Sequence, residues 1–350
     1  GNIKGVTPVN AGESNYTRGQ WCATDRVGEK NMAIICKVRM KGHVQQALAL
    51  QPDDQDVLFN LANCCRESGE SEQAAACYEQ VLALEPNHVS ALNNFAYLCH
   101  LQQDYERAEE LYQHLLALNP EHPGALHMLA ALRGTAEHTP KNAYIRELFD
   151  QYSDNFEQSL VQKLEYRVPE LLSELVFRIF PMQRTRSRRM YEHCLDLGCG
   201  TGLAGKFFRC ACTKLTGVDL SEKMIARAAD KNIYDALIAD DVIRFLEQEK
   251  EQYDLLIAAD LLTYLADLEP LLSAAHHRTA AGGFFVFSIE HGERENWQVR
   301  PTGRFAHHPA YAVRTAEQCG WKVVLSEEAE LRKEADTWVR GDLFALVKKK

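Results

Sequence analysis

Three prolines recur at a fixed interval in the first half of the chain. Pro52, Pro86 and Pro120 lie 34 residues apart, and each ends a segment of the pattern Leu-Ala-Leu-X-Pro. Alignment on these prolines also matches small and large side chains: Ala62 with Ala96 and Ala130, Leu58 with Leu92 and Leu126, and Tyr78 with Tyr112. Small residues let helices approach closely, large ones fill the groove between pairs, and proline ends a helix. The period therefore predicts paired amphipathic helices.

A 34-residue period of paired helices resembles the tetratricopeptide repeat. The resemblance covers about residues 52–133, with two complete repeats and the first helix of a third. Repeat units need neighbours to bury their faces, so we expect this short array to pack against other structure at one end. The array is either a structural spacer or a surface that binds a peptide.

The length of 350 residues is typical of more than one domain. The repeats are predicted over 34–135, after a segment at 1–33 that has no repeat pattern and is predicted to be irregular or disordered. A helical cap or connector is predicted over 136–180, because its apolar residues recur at helical spacing and Pro169 can start a new helix. The remaining residues, 181–350, form the second predicted domain.

From Tyr191 onward, short apolar runs alternate with amphipathic segments. Five strand-like runs are each followed by a helical segment, and two further strands close the chain. Repeated βα units predict an α/β Rossmann-like doubly wound parallel sheet behind the all-α repeats. Ligands of such sheets bind at the carboxyl ends of the strands, near the point where the strand order reverses.

A glycine-rich stretch, HCLDLGCGTGLAG at 193–205, joins the first strand to the first helix of this sheet. Glycines there let the backbone turn tightly and approach a ligand. A triphosphate-binding loop is set aside, because Phe207 follows Lys206 where serine or threonine is required. The spacing of Gly200, Gly202 and Gly205, with Asp219 nineteen residues after Gly200, also fits a dinucleotide such as NAD.

The segments LDLGCGTG and TGVDLSEKMIARA together resemble the class I S-adenosylmethionine-dependent methyltransferases. The order of repeats, connector and sheet domain, over about 52–350, looks like the predicted bacterial methyltransferases that carry tetratricopeptide repeats at the N-terminus. The resemblance implies S-adenosyl-L-methionine as cofactor. It implies these cofactor-binding residues: Asp196, Gly198, Cys199, Gly200, Gly202, Asp219, Leu220, Asp240, Asp241, Ala259, Tyr166 and Arg167.

Within that set the resemblance implies distinct roles. The loop at 196–202 lies on the amino-acid part of the cofactor, and Asp219 accepts both ribose hydroxyls, as one carboxylate can. Asp240 or Asp241 meets the adenine amine, with Asp241 preferred, and Leu220 flanks the ring. A helical cap covers the cofactor and contains Tyr152, Phe156, Tyr166 and Arg167.

The candidates for catalysis follow the fourth and fifth strands. A general base is needed only when the methyl acceptor carries a proton at the working pH. His307 is the first choice, in the segment GRFAHHPAY that the resemblance marks, with Asp260 and Tyr311 as further candidates; Glu290 and His308 also lie in this region. Arg300, Arg304 and His291 are the candidates for binding the acceptor, the arginines through an acidic group.

Charge and composition restrict the partners. The net charge of −10 disfavours broad binding to nucleic acid or to an anionic membrane, and AADLLTY after the fourth strand lacks the Asn/Asp-Pro-Pro-aromatic pattern of nucleic-acid methyltransferases. The acceptor is therefore expected to be a small molecule or a protein. Eleven cysteines without a Cys-X-X-Cys pair predict no metal site and a reducing, cytoplasmic location. An NAD-dependent oxidoreductase and a non-catalytic repeat scaffold remain the alternatives.

Overall fold

The computed structural model describes residues 54–136, 138–152, 164–179, 190–334 and 337–349. The predicted irregular segment at 1–33 lies outside these residues, as do the side chains of Tyr152 and Phe156. The chain divides after Leu84 into two compact units, 1–84 and 85–350. This division falls inside the predicted repeat array, and the domain boundaries at 135 and 180 stay predictions.

The first unit contains a helical hairpin, α1 (Gln55–Glu67) and α2 (Ser71–Leu84). Asp54 caps α1 because its side chain accepts a 3.0 Å hydrogen bond from the Val57 amide. The two helices approach closely at Ala62 and Ala74, which are fully buried, and the Tyr78 hydroxyl donates to Asn63 Oδ1 across 2.6 Å. This is the helix pair that the period predicts.

The second unit begins with three more repeat helices, α3 (Val89–Leu101), α4 (Tyr105–Leu118) and α5 (Pro123–Leu132). Their aligned alanines, Ala96 and Ala108, are fully buried. Leu126 on α5 is 41% exposed, unlike its counterpart Leu92, because α5 turns another face, His127 and Met128, inward. His127 bonds to the sheet domain at the Gly303 carbonyl, so the array does pack against other structure at one end.

The other helices of this unit connect the repeats to the sheet or flank it. They are α6 (Asn142–Tyr152), α7 (Val168–Ile179), α8 (Leu203–Phe208), α9 (Glu222–Ala229), α10 (Val242–Gln248), α11 (Glu269–Arg278) and α12 (Pro309–Gln318). Pro169 occupies the first turn of α7, as expected of a proline that starts a helix. Among the described residues no helix has the length and apolar character needed to cross a bilayer.

The strands form one mixed sheet. They are β1 (Tyr191–Leu197), β2 (Cys212–Asp219), β3 (Ala236–Ala239), β4 (Tyr253–Ala258), β5 (Thr279–His291), β6 (Trp297–Val299), β7 (Phe305–His307), β8 (Trp321–Glu334) and β9 (Thr337–Lys348). The order β3-β2-β1-β4-β5 is parallel throughout, and the alternation predicted from the sequence is confirmed over this part. Helices cover both faces: α10, α11 and α12 one, α7 and α8 the other.

The sheet is not parallel at its far edge. β9 pairs antiparallel with β5, and β8 pairs antiparallel with β9. Only residues 335 and 336 separate these two strands, and parallel strands need a crossover of about a dozen residues. A short ribbon of β6 and β7, which the sequence did not predict, extends β5 by parallel pairing of Glu290 with Ala306.

Candidate functional site

A cavity of about 1040 Å³, counted to its open mouth, lies at the carboxyl ends of β1, β2 and β4. Ten of the residues selected from the sequence line it: Tyr166, Gly198, Cys199, Gly200, Asp219, Leu220, Asp241, Ala259, Asp260 and Arg304. The cavity lies where the sequence predicts it, at β1, from which the strand order runs outward in both directions.

The glycine loop and the end of β2 are joined through Asp219. The Gly200 amide donates to Asp219 Oδ2 across 2.8 Å, and the Ser221 amide donates to Oδ1 across 2.9 Å. Gly198 and Gly200 have φ angles of 67° and 52°, which glycine adopts without strain. Burial raises the pKa of the Asp219 carboxyl, and these backbone hydrogen bonds oppose that shift.

Asp196 lies beneath the loop and does not line the cavity. It is fully buried, and Tyr234 donates its hydroxyl to Asp196 Oδ2 across 2.6 Å. The second oxygen, Oδ1, has no hydrogen-bond partner among the described residues. Burial raises the pKa of Asp196 to about 7, with the Tyr234 hydrogen bond lowering it and the Asp219 charge raising it further.

Tyr234 belongs to no motif in the sequence, yet its ring packs against the glycine motif. A Cβ on Gly205 would lie 2.5 Å from the Tyr234 hydroxyl, and one on Gly202 would lie 2.9 Å from its ring. Gly202, with a φ angle of 86°, therefore begins α8 and makes room for the tyrosine; it does not line the cavity. Glycine at these two positions permits the close approach of Tyr234.

Of the two acidic candidates after β3, Asp241 lines the cavity and Asp240 does not. Asp241 Oδ1 caps α10 by accepting from the Ile243 and Arg244 amides, and Oδ2 accepts from Asn142 on α6 across 3.1 Å. Asp240 forms an ion pair with Arg244 instead. The preference for Asp241 agrees with this placement.

Helix α6 supplies cavity residues that carry no sequence motif. Ile145 and Phe149 line the cavity, and the Phe149 ring meets the Tyr264 ring edge-on at 5.2 Å. Asp150 Oδ1 accepts a 2.5 Å hydrogen bond from Ser221, the residue that caps α9. The segment after the repeats therefore closes one side of the cavity, and its helical periodicity was the only signal in the sequence.

A buried cluster of charges lies behind the cavity around Asp260, which has a φ angle of 61°. Arg332, fully buried on β8, donates to Asp260 Oδ1 across 3.1 Å and also pairs with Glu290 and Glu334. Burial raises the pKa of Asp260, opposed by Arg332 and Arg304. Burial alone would raise the pKa of Glu290, but the charges of the same two arginines outweigh burial and leave that pKa below its ordinary value.

Arg304 is the cationic side chain on the cavity wall. Its Nη1 lies 3.6–3.7 Å from oxygens of Asp260, Glu290 and Glu334, and its guanidinium lies 5.7 Å from the centre of the Tyr264 ring. None of its side-chain nitrogens makes a hydrogen bond to a residue that the structure describes. A guanidinium is a fork of N–H donors, so Arg304 retains capacity to bind an oxygen-bearing group.

The structure does not bring His307 or Tyr311 to the cavity. His307 is fully buried on β7, and its Nε2 donates to the carbonyls of Leu265 and Ala266 at 2.9 and 3.1 Å. Burial lowers the pKa of His307 to about 4, and the backbone hydrogen bonds only partly oppose this. The Tyr311 hydroxyl donates to Asp267 Oδ1 across 2.9 Å. These contacts are structural, because the short β7 strand carries His307 into the core.

Four other candidates also lie off the cavity wall. Arg167 is exposed and bonds through its amide to the Leu331 carbonyl. Arg300 pairs with Glu290 at 3.2 Å and donates to the His291 carbonyl, while His291 Nδ1 lies 2.8 Å from Asp342. His308 caps α12 through Nδ1. Each is held by neighbouring backbone or by a charged partner that the linear sequence could not identify.

The structure combines a doubly wound α/β sheet with a cavity at the carboxyl ends of its parallel strands. The family model described as "Methyltransferase domain" matches residues 195–285, which contain the glycine loop, Asp219 and Asp260. Two models of the tetratricopeptide repeat match 43–76 and 66–123. The chain therefore carries a methyltransferase domain preceded by tetratricopeptide repeats. The match favours the methyltransferase interpretation of the glycine loop over the dinucleotide one.

The similarity to an individual relative is low. A malonyl-acyl-carrier protein O-methyltransferase from Hamiltonella defensa subsp. Acyrthosiphon pisum (strain 5AT) is 28% identical over 118 residues, which are 34% of this chain and 44% of that protein. The chain thus matches less than half the length of that relative.

Two solved structures resemble the chain at low identity. Magnesium protoporphyrin IX methyltransferase from Synechocystis PCC 6803 with bound SAH has 16% identity and a TM-score of 0.46, covering 59% of this chain and 99% of that one. N-methyltransferase NodS from Bradyrhizobium japonicum WM9 has 20% identity and a TM-score of 0.41, covering 52% and 94%.

Proposed function

We propose that this protein transfers the methyl group of S-adenosyl-L-methionine to an acceptor bound in the same cavity. The observation that carries the proposal is the cavity itself, at the carboxyl ends of β1, β2 and β4. Its lining combines the glycine loop, Asp219 and Asp241 with Tyr264 and Arg304. A donor and an acceptor must meet in one water-poor space for direct transfer.

The donor side of the cavity fits S-adenosyl-L-methionine, which supplies a methyl group already activated on a sulfonium. Each Asp219 oxygen accepts one backbone amide and keeps a lone pair, so both ribose hydroxyls have an acceptor. Leu220 and Val242 provide apolar contact for the adenine, and Asp241 Oδ2 is an acceptor for its amine. The backbone at 198–201 lies along the amino-acid part.

The acceptor side consists of Phe149, Tyr166, Tyr264 and Arg304. Three aromatic rings and one arginine favour an acceptor with an apolar body and an oxygen-bearing group that Arg304 binds. Asp260 is the proton acceptor that we propose for an acceptor that must lose a proton, in place of His307. Its carboxyl lines the cavity, while its contact with Arg332 fixes its orientation.

The repeats have a docking role in this proposal. Helices α3 to α5 leave large apolar side chains exposed, among them Val89, Leu101 and Leu118 at 43%, 56% and 39%. Such side chains in a repeat array are suited to a protein partner or a protein acceptor. The net charge of −10 makes nucleic acid a poor partner. The cysteine content supports a reducing, cytoplasmic location for this activity.

Calorimetric titration of the purified protein with S-adenosyl-L-methionine tests the proposal, with NAD titrated in parallel. Asp219→Ala is the test variant, and Asp240→Ala is its matched control because Asp240 is adjacent but off the cavity wall. Saturable binding that only Asp219→Ala weakens supports the methyl donor. Binding of NAD alone overturns it in favour of an oxidoreductase, and binding of neither overturns it in favour of a scaffold.

A further inference from the structure

The loop that carries Arg304 is tightly closed on itself. Residues 300–304 connect β6 to β7, with the Gly303 amide donating to the Arg300 carbonyl across 2.9 Å. The Arg300 amide donates to the Arg304 carbonyl across 2.8 Å. Because these bonds lie within the loop, they fix its shape but do not fix where its tip points.

The tip is held by the last repeat helix. His127 on α5 is 7% exposed, and its Nε2 lies 2.7 Å from the Gly303 carbonyl oxygen. A carbonyl oxygen only accepts hydrogen bonds, so Nε2 carries the proton and donates. The His127 ring also packs against Phe305, with the ring centres 6.0 Å apart.

The loop is fitted to α5 at close range. Gly303 has a φ angle of 78°, and a Cβ at this position would lie 2.8 Å from Met128 Sδ. Met128 itself is buried, with its Sδ 3.1 Å from the Tyr144 hydroxyl. Glycine is therefore required at the tip both for its backbone conformation and for the approach of the helix.

Arg304 lies in sequence between two of the residues that His127 contacts, Gly303 and Phe305. Its own guanidinium makes no hydrogen bond to a described residue, and its carboxylate neighbours lie 3.6 Å away or further. The placement of its backbone therefore decides where the guanidinium points in the cavity. That placement depends on the contact with α5.

We infer that His127 is a positioning residue for Arg304, so that the last tetratricopeptide helix forms part of the acceptor site. The inference rests on the proposed function for the role of Arg304, while the positioning itself is testable without an acceptor. It gives the repeat array a second task besides docking, because displacement of α5 moves the acceptor-binding arginine.

The test compares three variants of the full chain saturated with S-adenosylhomocysteine. His127→Ala removes the donor, and His127→Gln replaces Nε2 with an amide N–H at similar reach. His114→Ala is the matched control, because it removes another histidine of the repeat helices, one whose Nε2 lies 3.0 Å from Asn87 Oδ1, and leaves α5 unaltered. Two properties are measured: amide hydrogen exchange of the peptide spanning 299–308, and phenylglyoxal modification of Arg304 mapped by mass spectrometry.

We expect His127→Ala to speed exchange of that peptide and modification of Arg304 by about fivefold or more, as loss of one buried hydrogen bond implies. Peptides from 191–219 keep their exchange rates, and His127→Gln restores most of the protection. Unchanged loop exchange in folded His127→Ala overturns the inference, as does an equal loss in His114→Ala. Titration of S-adenosylhomocysteine is scored separately, so failure of the proposed function appears as lost binding in the unaltered chain.

Discussion

The Gly200 amide donates a 2.8 Å hydrogen bond to Oδ2 of Asp219, which ties the glycine loop to the end of β2. Nineteen residues of sequence separate the two groups, and the parallel pairing of β1 with β2 brings them together. The carboxylate thus does two things: it holds the loop in shape, and it keeps a lone pair on each oxygen for a ligand.

The first prediction concerns this carboxylate. Asp219→Ala is expected to weaken S-adenosyl-L-methionine binding by at least about tenfold, roughly 1.4 kcal/mol, because two ligand hydrogen bonds and the loop contact are lost together. Isothermal titration calorimetry measures the change. In the Asp240→Ala control, the dissociation constant should stay within about twofold of the unaltered value. Equal effects of the two substitutions would contradict the assignment.

A second prediction follows from the buried Asp196. Burial raises its pKa from 3.8 to about 7. The folded protein therefore binds a proton that the unfolded chain has released between these values, so this group contributes stability at low pH that is lost as pH rises through about 7. Asp196→Asn removes this contribution to the pH dependence. Urea unfolding between pH 5 and 8 should show the variant gaining stability relative to the unaltered protein as pH rises to about 7, by no more than ~3 kcal/mol.

Tyr234→Phe provides the companion experiment for Asp196. The Tyr234 hydroxyl stabilises the ionised carboxylate, so its loss raises the pKa of Asp196 further. The pH range in which stability falls should then move upward. Parallel stability curves for the unaltered protein and Asp196→Asn would show that Asp196 does not titrate in the folded protein as described.

The sequence predicted those features that depend on local pattern. The 34-residue period located the repeat helices, and the alternation of strands and helices located β1 to β5. The motif residues Gly198, Gly200 and Asp219 line the cavity because the parallel strand order fixes where strand ends meet. The period, the alternation and the loop motif can all be found from the order of residues along the chain. None of them requires knowledge of which distant residues are in contact.

The sequence did not predict contacts between distant segments. Arg332 is 72 residues from Asp260, and the antiparallel β8–β9 pairing that brings it to Asp260 leaves no motif. Tyr234 meets Asp196 for the same reason, through the fold. His307 is the first candidate for a base because the resemblance marks its segment, but burial on β7 decides its protonation and its hydrogen bonds. Packing of this kind is determined by the whole chain.

The third prediction concerns Arg332. Its substitution by methionine leaves Asp260 and Glu290 buried without their nearest cation, and breaking a buried ion pair by removing one partner costs about 3–5 kcal/mol. Chemical denaturation should therefore show a large loss of stability in Arg332→Met. Arg340→Ala is the matched control: Arg340 pairs with Glu328 on the same hairpin, but both side chains are exposed. The control should unfold at the same denaturant concentration as the unaltered protein.

The Arg332 substitution also separates stability from positioning. We expect Arg332→Met to lose stability but to bind S-adenosyl-L-methionine as the unaltered protein does. Arg332 contacts Asp260 on the acceptor side, so its loss should not disturb the donor side. An equally small effect of Arg332→Met and Arg340→Ala on stability would mean that the charge cluster around Asp260 is not buried.

The last prediction tests whether His307 is structural. Its folded pKa, lowered to about 4 by burial, lies below the ordinary 6.5. The unfolded chain therefore binds more protons between these values, and this contribution to stability is present above pH 6.5 and lost as pH falls. His307→Gln keeps an N–H donor for Leu265 and Ala266 but cannot titrate. Between pH 7 and 5 it should lose less stability than the unaltered protein, by up to ~2 kcal/mol.

His307→Ala, which loses the donor as well, should be less stable than His307→Gln at pH 7. The pH dependence of methyl transfer should be the same with histidine or glutamine. Burial of His307 away from the cavity excludes direct proton transfer to an acceptor there. Loss of an acid limb of the activity profile in the glutamine variant alone would contradict this structural role and make His307 the base.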